Sequence, residues 1–366
     1  MEEILINIEA GERRVAILHS RALEWYFVER MTTKRIVGNI YKGKTNSVLD
    51  GIGAAFIDCG FEKNGFLYVS DITAPLVEEE DSGFFFPYNG IKQQESKLKI
   101  SDMLKKGQDI IVQVTKEEIG TKGARLTTNV SLPGRYLVLM PTSNHIGVSR
   151  RIKDDQERRR IRAILKELKL PKNMGVVART VAEGRDKRAF LRDVNYLIDT
   201  YNRISSSGKQ KKAPSLLFEE IDLSMQIVRD FLKEETSRIV IDDKKEFKKL
   251  RSFISRIDPR LKTKLVLYKD QTPLFEKYGI EKEIDKLFER KIFLKCGGYI
   301  TIEQTEGMVA IDVNSGKYTG KKNLEETIFK VNIEAASEVA RQLRLRDIGG
   351  IVIIDFIDMK IQKHRK

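Results

Sequence analysis

The chain has 366 residues, of which 41% are hydrophobic and 33% are charged, and its formal net charge is +14. The length predicts about two to four domains, and no run approaches the ~18 apolar residues that a membrane-spanning helix needs. The acidic, strand-like start MEEILINIEAGERR lacks the pattern of a signal peptide. Two cysteines, Cys59 and Cys296, are too distant in sequence for a zinc knuckle or a disulfide framework. This use of cysteine favours a reducing cytoplasm as the location of the protein. The positive charge favours nucleic acid as a partner over a basic surface that only aids solubility.

Short strands dominate the first part of the chain. Residues 1–35 contain three alternating segments that we expect to be strands, EILINIE, RRVAILH and ALEWYFVER. Glycine-punctuated strands follow, in RIVGNIYKGKTNSVL, GAAFIDCG, NGFLYVSDI and GQDIIVQVTKEE. Such strands are typical of a small closed barrel of the OB type. The segment 73–100, between the third and fourth of them, is predicted to be a surface loop insertion.

The middle of the chain mixes strands and helices. RYLVLMPT and GVVART are predicted strands, and DDQERRRIRAILKELKL and DKRAFLRDVNYLIDTYNRI are predicted helices. The segment SSSGKQKKAPS (205–215) has the composition of a linker. Beyond it, helix FEEIDLSMQIVRDFL, strand RIVIDD, helix KKEFKKLRSFISRI and strand KLVLYK alternate. This alternation predicts an α/β layer.

Two aspartates lie near the ends of two apolar segments close to the C-terminus. GGYITIEQ and GMVAIDVN are predicted to form a hairpin, and GIVIID, which follows a long amphipathic helix, is predicted to be a strand buried on both faces. A strand, a crossover helix and a second strand are parallel when they share a sheet, so Asp312 and Asp355 would lie near neighbouring C-terminal strand ends. Strand alternation places Asn314 on the face of Asp312 and Asp358 on the face opposite Asp355.

The oxygens of these side chains favour a hard cation. Two carboxylates and an amide, without histidine or cysteine, suit magnesium or manganese, which can activate water and polarise a phosphodiester. A single aspartate at a strand end more often caps a turn. Two matched aspartates, Asp312 and Asp355, together with Asn314 on a basic chain, favour a metal site over two separate turn caps.

Long blocks of the sequence closely resemble the ribonuclease E/G family of bacterial endoribonucleases. They are GNIYKGK, AAFIDCGFEKNGFL, TKGARLTTNVSLPGRYLVLMP, VSRRI, GMVAIDVNSGKYTG and NLEETIFKVNIEAASEVARQLRLRDIGGIVIIDFIDM. The resemblance implies a Mg²⁺-dependent endoribonuclease that cleaves single-stranded, A/U-rich RNA to 5′-phosphate and 3′-hydroxyl ends. It also implies a role in RNA decay and in rRNA and tRNA processing. The family's metal-binding aspartates match Asp312 and Asp355, and a neighbouring asparagine matches Asn314.

The resemblance also implies an α/β and α+β multidomain fold. An RNase-H-like subdomain (1–35 and 216–287) would be interrupted by an OB-fold RNA-binding barrel (36–126) and a 5′-end sensor subdomain with its linker (127–215). A DNase-I-like catalytic subdomain (288–366) would follow, and we expect it to be truncated, because family members continue through a Cys-Pro-x-Cys zinc link and a small dimerisation domain. We therefore expect no zinc in this chain. Full-length members are expected to form homo-oligomers, but this chain is not expected to do so through the zinc link.

Phe56 and Phe66 are candidates for RNA contact. Each alternates with aliphatic residues, so both lie outside the barrel if the aliphatic side chains fill its core, and inside it in the opposite case. The resemblance implies the outward orientation, because the family stacks bases on the aromatics at these positions. Lys122 matches a family lysine that contacts the RNA backbone near the scissile site.

Arg179 and Thr180 end a predicted strand. A guanidinium and a hydroxyl can hold a terminal phosphate there, or they can be ordinary surface residues. The resemblance implies that the two form a sensor for a 5′-monophosphate and that Val138 contacts the first base. Arg150 and Arg151 match a further family block and are assigned a general RNA-binding role.

Two other functions fit the same residues. The chain could be a catalytically weak or inactive RNA-binding fragment that keeps the barrel and the sensor, or a DNA-directed nuclease that uses the same carboxylates. RNA binding without magnesium-dependent cleavage would identify the first, and competition between single-stranded DNA and RNA would test the second. The intact set of Asp312, Asn314 and Asp355 favours the endoribonuclease.

Overall fold

The computed structural model describes residues 2–9, 11–32, 35–73, 99–118, 120, 122–233, 235–316 and 324–366. The chain forms two compact units, one made of residues 1–33 and 232–366 and the other of residues 34–231. No helix within the described ranges is long and apolar enough to cross a membrane.

The strands, in chain order, are β1 (Glu2–Glu9), β2 (Glu12–His19), β3 (Ala22–Arg30), β4 (Ile40–Leu49), β5 (Ala54–Asp58), β6 (Gly65–Tyr68), β7 (Asp109–Lys116), β8 (Arg125–Thr127), β9 (Leu132–Pro133), β10 (Leu137–Met140), β11 (Ile146–Val148), β12 (Gly175–Ala178), β13 (Ser215–Phe218), β14 (Thr236–Ile241), β15 (Leu265–Leu267), β16 (Lys291–Phe293), β17 (Tyr299–Gln304), β18 (Val309–Asn314) and β19 (Val352–Asp355). The α-helices are α1 (Ser70–Thr73), α2 (Asp155–Glu167), α3 (Lys187–Gln210), α4 (Leu223–Phe231), α5 (Lys244–Ile257), α6 (Leu274–Lys277), α7 (Ile280–Asp285), α8 (Leu324–Leu345) and α9 (Gln362–Arg365).

The first unit contains a mixed five-stranded sheet in the order β15-β14-β1-β2-β3. β1, β2 and β3 pair antiparallel, whereas β14 lies parallel to both β1 and β15. Alternation along the strands places Leu5, Ala16 and Val240 in one core, where Phe275 and Ile280 from the short helices α6 and α7 join them. Two distant parts of the chain therefore share one sheet.

A second sheet of this unit, in the order β16-β17-β18-β19, carries the two aspartates. β17 and β18 form the predicted antiparallel hairpin, and β19 follows α8 and pairs parallel with β18. α8 packs Val331, Ala335 and Val339 against one face of this sheet. The prediction that β19 is buried on both faces is wrong, because Ile354 packs into this core while Ile353, on the opposite face, is 51% exposed.

The second unit contains a closed five-stranded barrel. Its strands pair in the order β4-β5-β6-β8-β7, and β7 pairs back onto β4. β6 and β8 are parallel, whereas the other pairs are antiparallel. Ala55, Ile57 and Leu67 lie in the core with residues of β7 and β8. The barrel is OB-like, as the glycine-punctuated strands predict. Residues 74–98, which make up most of the predicted loop insertion, lie outside the described residues.

The segment 205–215 was predicted to be a linker, and this is wrong, because helix α3 continues to Gln210. Gly208 is buried at the point where the helix approaches the barrel. The approach is close, because a Cβ built at Gly208 would lie 2.9 Å from Ile111 Cδ1. Here glycine permits close packing rather than a flexible connection. The chain then forms β13, which pairs with β4, so the helix predicted from Phe218 begins at Leu223 instead.

The other sheet of the second unit has the order β11-β12-β10-β9 and packs against α2 and α3. Asp193 of α3 is buried, and its carboxylate accepts backbone N–H bonds from Tyr136 at 2.7 Å and from Leu137 at 2.8 Å. This approach requires a glycine before β10, because a Cβ at Gly134 would lie 2.6 Å from the carboxylate. The buried carboxylate therefore fixes the chain at the start of β10.

Candidate functional site

Asp312 and Asp355 are direct register partners across the parallel strands β18 and β19. Both are exposed, on the sheet face opposite the core formed with α8. Neighbouring strands lie about 4.8 Å apart, so the two carboxylates can reach a common ion. The strand–helix–strand pattern predicts this pairing, and the observed register confirms it.

Asn314 follows Asp312 by two positions on the same face, and its Nδ2 donates to Asp312 Oδ2 at 2.5 Å. The bond uses the amide nitrogen, so the amide oxygen is still an acceptor. This donor set suits Mg²⁺, which takes one or two carboxylates and completes its shell with water and substrate phosphate. Among the described residues, no group of three or more His, Cys, Asp or Glu side chains could hold a metal ion. The smaller set of two carboxylates and one amide is therefore the candidate.

Helix α8 fixes the chain beyond β19. The buried Asn332 donates from Nδ2 to the carbonyl of Ile357 at 2.8 Å and accepts from its N–H at 3.2 Å. Glu325, at the start of α8, accepts two more backbone N–H bonds from this loop, at 2.7 and 2.8 Å. Asp355 is therefore held between a paired strand and a tethered loop, whereas Asp358 is an exposed member of the loop.

Two further side chains continue the row of aspartates across the sheet. Thr301 is the register partner of Asp312, and Lys291 is the partner of Thr301. Lys291 Nζ lies 3.5 Å from the centre of the Tyr299 ring, a cation–π contact that holds an ammonium group beside this row. Sequence reasoning missed both residues, because their alignment with Asp312 depends on the register of two hairpins.

Phe56 and Phe66 face outward from the barrel, because Ala55, Ile57 and Leu67 fill its core. This is one of the two orientations that strand alternation allows, and the one that the resemblance implies. They are register partners on β5 and β6, and their ring centres are 5.4 Å apart. The ring centre of Tyr68 lies 4.3 Å from that of Phe66, and the guanidinium of Arg125 lies 5.3 Å from the Tyr68 ring centre. We call these four side chains the aromatic strip. Sequence reasoning missed Tyr68 and Arg125 as site residues, although Tyr68 lies two positions after Phe66 in one strand and therefore on the same face.

Lys122 is exposed, and it lies just before the segment that runs beside β6. It precedes Gly123, where a Cβ would lie 2.0 Å from the carbonyl oxygen of Asn64, so the chain passes directly against the residue before β6. The N–H of Phe66 then donates to the carbonyl of Ala124 at 2.7 Å. These backbone contacts determine the position of Lys122 relative to the strip.

Arg179 lies in a nearly buried network of charged side chains. Its Nη1 donates to the carbonyl of Gly134 at 2.8 Å and to Asp230 Oδ1 at 2.6 Å. Arg229 also donates to Asp230, from Nε at 2.9 Å, and pairs with Glu220 at 2.7 Å. Burial opposes ionisation of Asp230, but the two guanidinium groups outweigh it and hold the pKa of Asp230 below its ordinary value. No local sequence pattern indicates this network, because Arg179 and Asp230 are 51 positions apart in the chain.

Thr180 is exposed just after β12 and lies close to the segment of Arg150 and Arg151. Its hydroxyl lies 3.1 Å from that of Ser149, which begins the turn with the exposed Arg150 and Arg151. The parallel pairing of β11 with β12 brings these segments together. Val138, by contrast, is 1% exposed, so a contact with a base requires a local opening.

Comparison with known proteins adds to this geometry. A sequence model of the Ribonuclease E/G family matches residues 131–366. The chain is similar to Ribonuclease G of Escherichia coli strain K12, with 41% identity over 100% of this chain and 73% of that protein. It is 40% identical to Ribonuclease G of Haemophilus influenzae, over 99% of this chain and 72% of that protein. It is 39% identical to Ribonuclease E of Buchnera aphidicola subsp. Schizaphis graminum, over 100% of this chain and 37% of that protein.

Proposed function

Because this chain belongs to the ribonuclease E/G family, we propose that it cleaves single-stranded, A/U-rich RNA in a magnesium-dependent reaction that leaves 5′-phosphate and 3′-hydroxyl ends. Family membership identifies it as an endoribonuclease. The proposed chemistry is carried by the cross-strand pairing of Asp312 with Asp355, together with the bond from Asn314. We place the reaction in cytoplasmic RNA decay and in rRNA and tRNA processing.

Asp312 and Asp355 would hold the divalent cation, magnesium or manganese, through carboxylate oxygens. When bound, the cation would make water a better nucleophile and neutralise charge on the phosphodiester. Asn314 would keep the Asp312 carboxylate in one orientation. The exposed position of the carboxylates leaves room for a scissile phosphate, and Lys291, in the same row, would attract the RNA backbone.

RNA binding by the barrel is the second part of the proposal, and the outward orientation of Phe56 and Phe66 supports it. An aromatic face stacks on any base and contributes about 1–3 kcal/mol per base. Lys122, which is exposed two residues before the Ala124 carbonyl that accepts from Phe66, would contact the RNA backbone. The net charge of +14 favours the same polyanionic partner.

We assign recognition of a 5′-monophosphate to Arg179 and Thr180. The hydrogen bond between Thr180 and Ser149 supports this assignment, because it places the Thr180 hydroxyl beside the turn of Arg150 and Arg151. These two arginines would supply general attraction for RNA. Val138 would contact the first base after a local opening.

The proposal includes the subdomains that the family resemblance implies. The strand order β3-β2-β1-β14-β15 supports an RNase-H-like sheet, assigned to residues 1–35 and 216–287. Part of the second range, β13 and α4, lies in the unit that contains the barrel. The barrel (36–126), the sensor (127–215) and the DNase-I-like part (288–366) complete the assignment.

The deciding experiment measures cleavage of a short A/U-rich RNA, 5′-monophosphorylated or 5′-hydroxylated, with and without magnesium. Asp312→Asn and Asp355→Asn should each lower the rate at least ~100-fold, while RNA affinity without magnesium stays unchanged. Asp358→Asn is the matched control, because Asp358 is exposed in the loop just after β19. It should cleave at the wild-type rate.

The outcomes separate the candidate functions. Cleavage that survives both aspartate substitutions would refute the assignment of the metal ligands. Tight, salt-sensitive binding of RNA without cleavage by the wild-type chain would identify an RNA-binding module instead. Stronger competition by single-stranded DNA than by RNA would favour a DNA-directed nuclease.

A further inference from the structure

The aromatic strip has one more ring than the proposed RNA contacts use. Tyr68 follows Phe66 by two positions in β6, so both point outward, and Tyr68 is 39% exposed. Phe56 meets Phe66 at 77°, and Phe66 meets Tyr68 at 78°. Neither contact is a face-to-face stack, and the exposure of Tyr68 leaves part of its ring open to a base, although the Arg125 guanidinium lies over the ring.

Arg125 is held at the Tyr68 end of the strip. Its Nε and Nη2 donate to Asp71 Oδ2 at 3.2 and 3.1 Å. The carbonyl of Asp71 in turn accepts from the hydroxyls of Thr127 at 3.0 Å and Thr128 at 3.2 Å. The ion pair is therefore anchored on β8 and the residue after it. The bonds to Asp71 do not use Nη1 of Arg125, which can donate to a further group.

An exposed ring beside an oriented guanidinium offers what one nucleotide needs, a π face for the base and an N–H donor for the phosphate. We propose that Tyr68 and Arg125 form a third nucleotide subsite, in which Tyr68 stacks one base of single-stranded RNA and Arg125 binds the adjoining phosphate. This inference rests on the proposed RNA-binding role of Phe56 and Phe66, and it lengthens the bound track by one nucleotide. Stacking does not read base edges, so the subsite accepts any base.

The test is binding of 5′-hydroxylated oligouridylates of increasing length, followed by fluorescence anisotropy without magnesium in an Asp312→Asn background. Tyr68→Ala should weaken binding about 5- to 150-fold, and only for oligomers long enough to extend past Phe56 and Phe66. Tyr68→Phe keeps the ring and should bind like the parent. Tyr68→Leu keeps an apolar cover without a π face and should bind as weakly as the alanine variant. Leu216→Ala, at a residue 38% exposed on β13, is the matched control and should change nothing.

The phosphate contact has its own readout. Arg125→Gln should reduce the slope of log Kd against log salt concentration by about 0.7, the value expected for one contact to a single strand. Arg125→Lys keeps the charge and should restore the slope. An unchanged slope in Arg125→Gln would overturn the role of Arg125.

Comparing the Tyr68 variants with Phe66→Ala distinguishes failure of the third subsite from failure of the proposed RNA-binding role of the barrel. If Tyr68→Ala and Tyr68→Leu bind every oligomer like the parent while Phe66→Ala binds weakly, the third subsite is refuted and the proposed barrel surface stands. If Phe66→Ala also binds like the parent, the proposed barrel function itself fails. Weak binding by a Tyr68→Leu protein that unfolds at the parental temperature supports the subsite, because the loss then does not come from unfolding.

Discussion

Asp230 holds Arg179 through a 2.6 Å bond from Nη1, and the same carboxylate accepts from Arg229. The side chains of Arg179 and Asp230 are only 13% and 11% exposed. A buried carboxylate between two guanidinium groups fixes the direction of both. A terminal phosphate would therefore meet an Arg179 that is already oriented, and Asp230 must be ionised for that orientation to persist.

Asp230→Asn should lower the free energy of unfolding by about 3 kcal/mol at pH 7, because it leaves buried positive charge without its partner. The folded-state pKa of Asp230 is below its ordinary value, because two arginines outweigh the burial that opposes ionisation. The ionised Asp230 carboxylate therefore contributes fully to the free energy of unfolding above the unfolded-state pKa of about 4. This contribution is lost as the pH falls through the folded-state pKa. Urea unfolding of both proteins at pH 7 and pH 3 should show the difference shrinking at the lower pH. An equal difference at both values would contradict this account.

Thr180→Val should reduce the preference for 5′-monophosphorylated RNA about 10- to 100-fold, because a hydrogen bond to a charged phosphate is lost. Cleavage of 5′-hydroxylated RNA should stay the same, since that end has no phosphate to bind. The measurement is the ratio of kcat/KM values for the two RNAs. Ser149→Ala removes only the neighbour of the Thr180 hydroxyl and should have a smaller effect. A ratio unchanged in Thr180→Val would remove Thr180 from the sensor.

Asn314→Ala should raise the magnesium concentration for half-maximal cleavage about 10- to 100-fold, because the Asp312 carboxylate loses the donor that orients it. The measurement is a magnesium titration of the cleavage rate. Glu303→Gln is a suitable control, because Glu303 lies on the strand beside Asp312 and pairs with Arg290. If Asn314→Ala follows the same magnesium titration as the wild type and Glu303→Gln, Asn314 does not orient Asp312 for magnesium binding.

Gly123→Ala should destabilise the barrel by about 1–3 kcal/mol or more, because the new Cβ would lie 2.0 Å from the backbone oxygen of Asn64. Backbone cannot move aside as a flexible side chain can, so Lys122 should also shift and RNA affinity should fall. Gly51→Ala is the control, since a Cβ there meets nothing within 4 Å. Thermal unfolding and RNA titration of both variants would check the prediction. Equal stability of the two variants would contradict it.

Burial raises the pKa of Cys59 to about 12, and the thiol lies in the core of the barrel. Only the thiolate reacts, and at pH 8 about one thiol in 10⁴ would be ionised. We therefore expect iodoacetamide to leave Cys59 unmodified in the native protein and to label it after unfolding in urea. Mass spectrometry of the peptides would show this, with the half-buried Cys296 as an internal control that labels sooner. Rapid labelling of native Cys59 would mean that the barrel opens readily.

The pairing of Asp312 with Asp355 could be predicted from sequence because the local signals agree. A turn, an uninterrupted helical periodicity and an apolar return strand leave a parallel pairing as the simple solution. Alternation along one strand likewise separates Phe56 from Ala55 and Ile57, although it does not by itself say which of the two faces lies in the core. These features depend on residues that are close together in the chain.

The features that could not be predicted depend on packing between distant segments. An apolar strand containing Ile353 has the pattern of a fully buried one, but burial depends on which faces neighbouring elements cover. Gly208 follows three serines as in a linker, yet it packs a helix against a barrel. The bond between Asp230 and Arg179 joins α4 to the end of β12, and no local pattern brings these segments together.

Asp312 and Asp355 are 43 positions apart in the chain, and they become neighbours only when α8 has folded between β18 and β19. A divalent cation shared by the two carboxylates is therefore a ligand of the native state and has little affinity for the unfolded chain. By mass action it adds RT ln(1 + [cation]/Kd) to the free energy of unfolding. The metal that serves catalysis would then also protect the enzyme from proteolysis, so cation supply would govern the lifetime of the protein as well as its turnover.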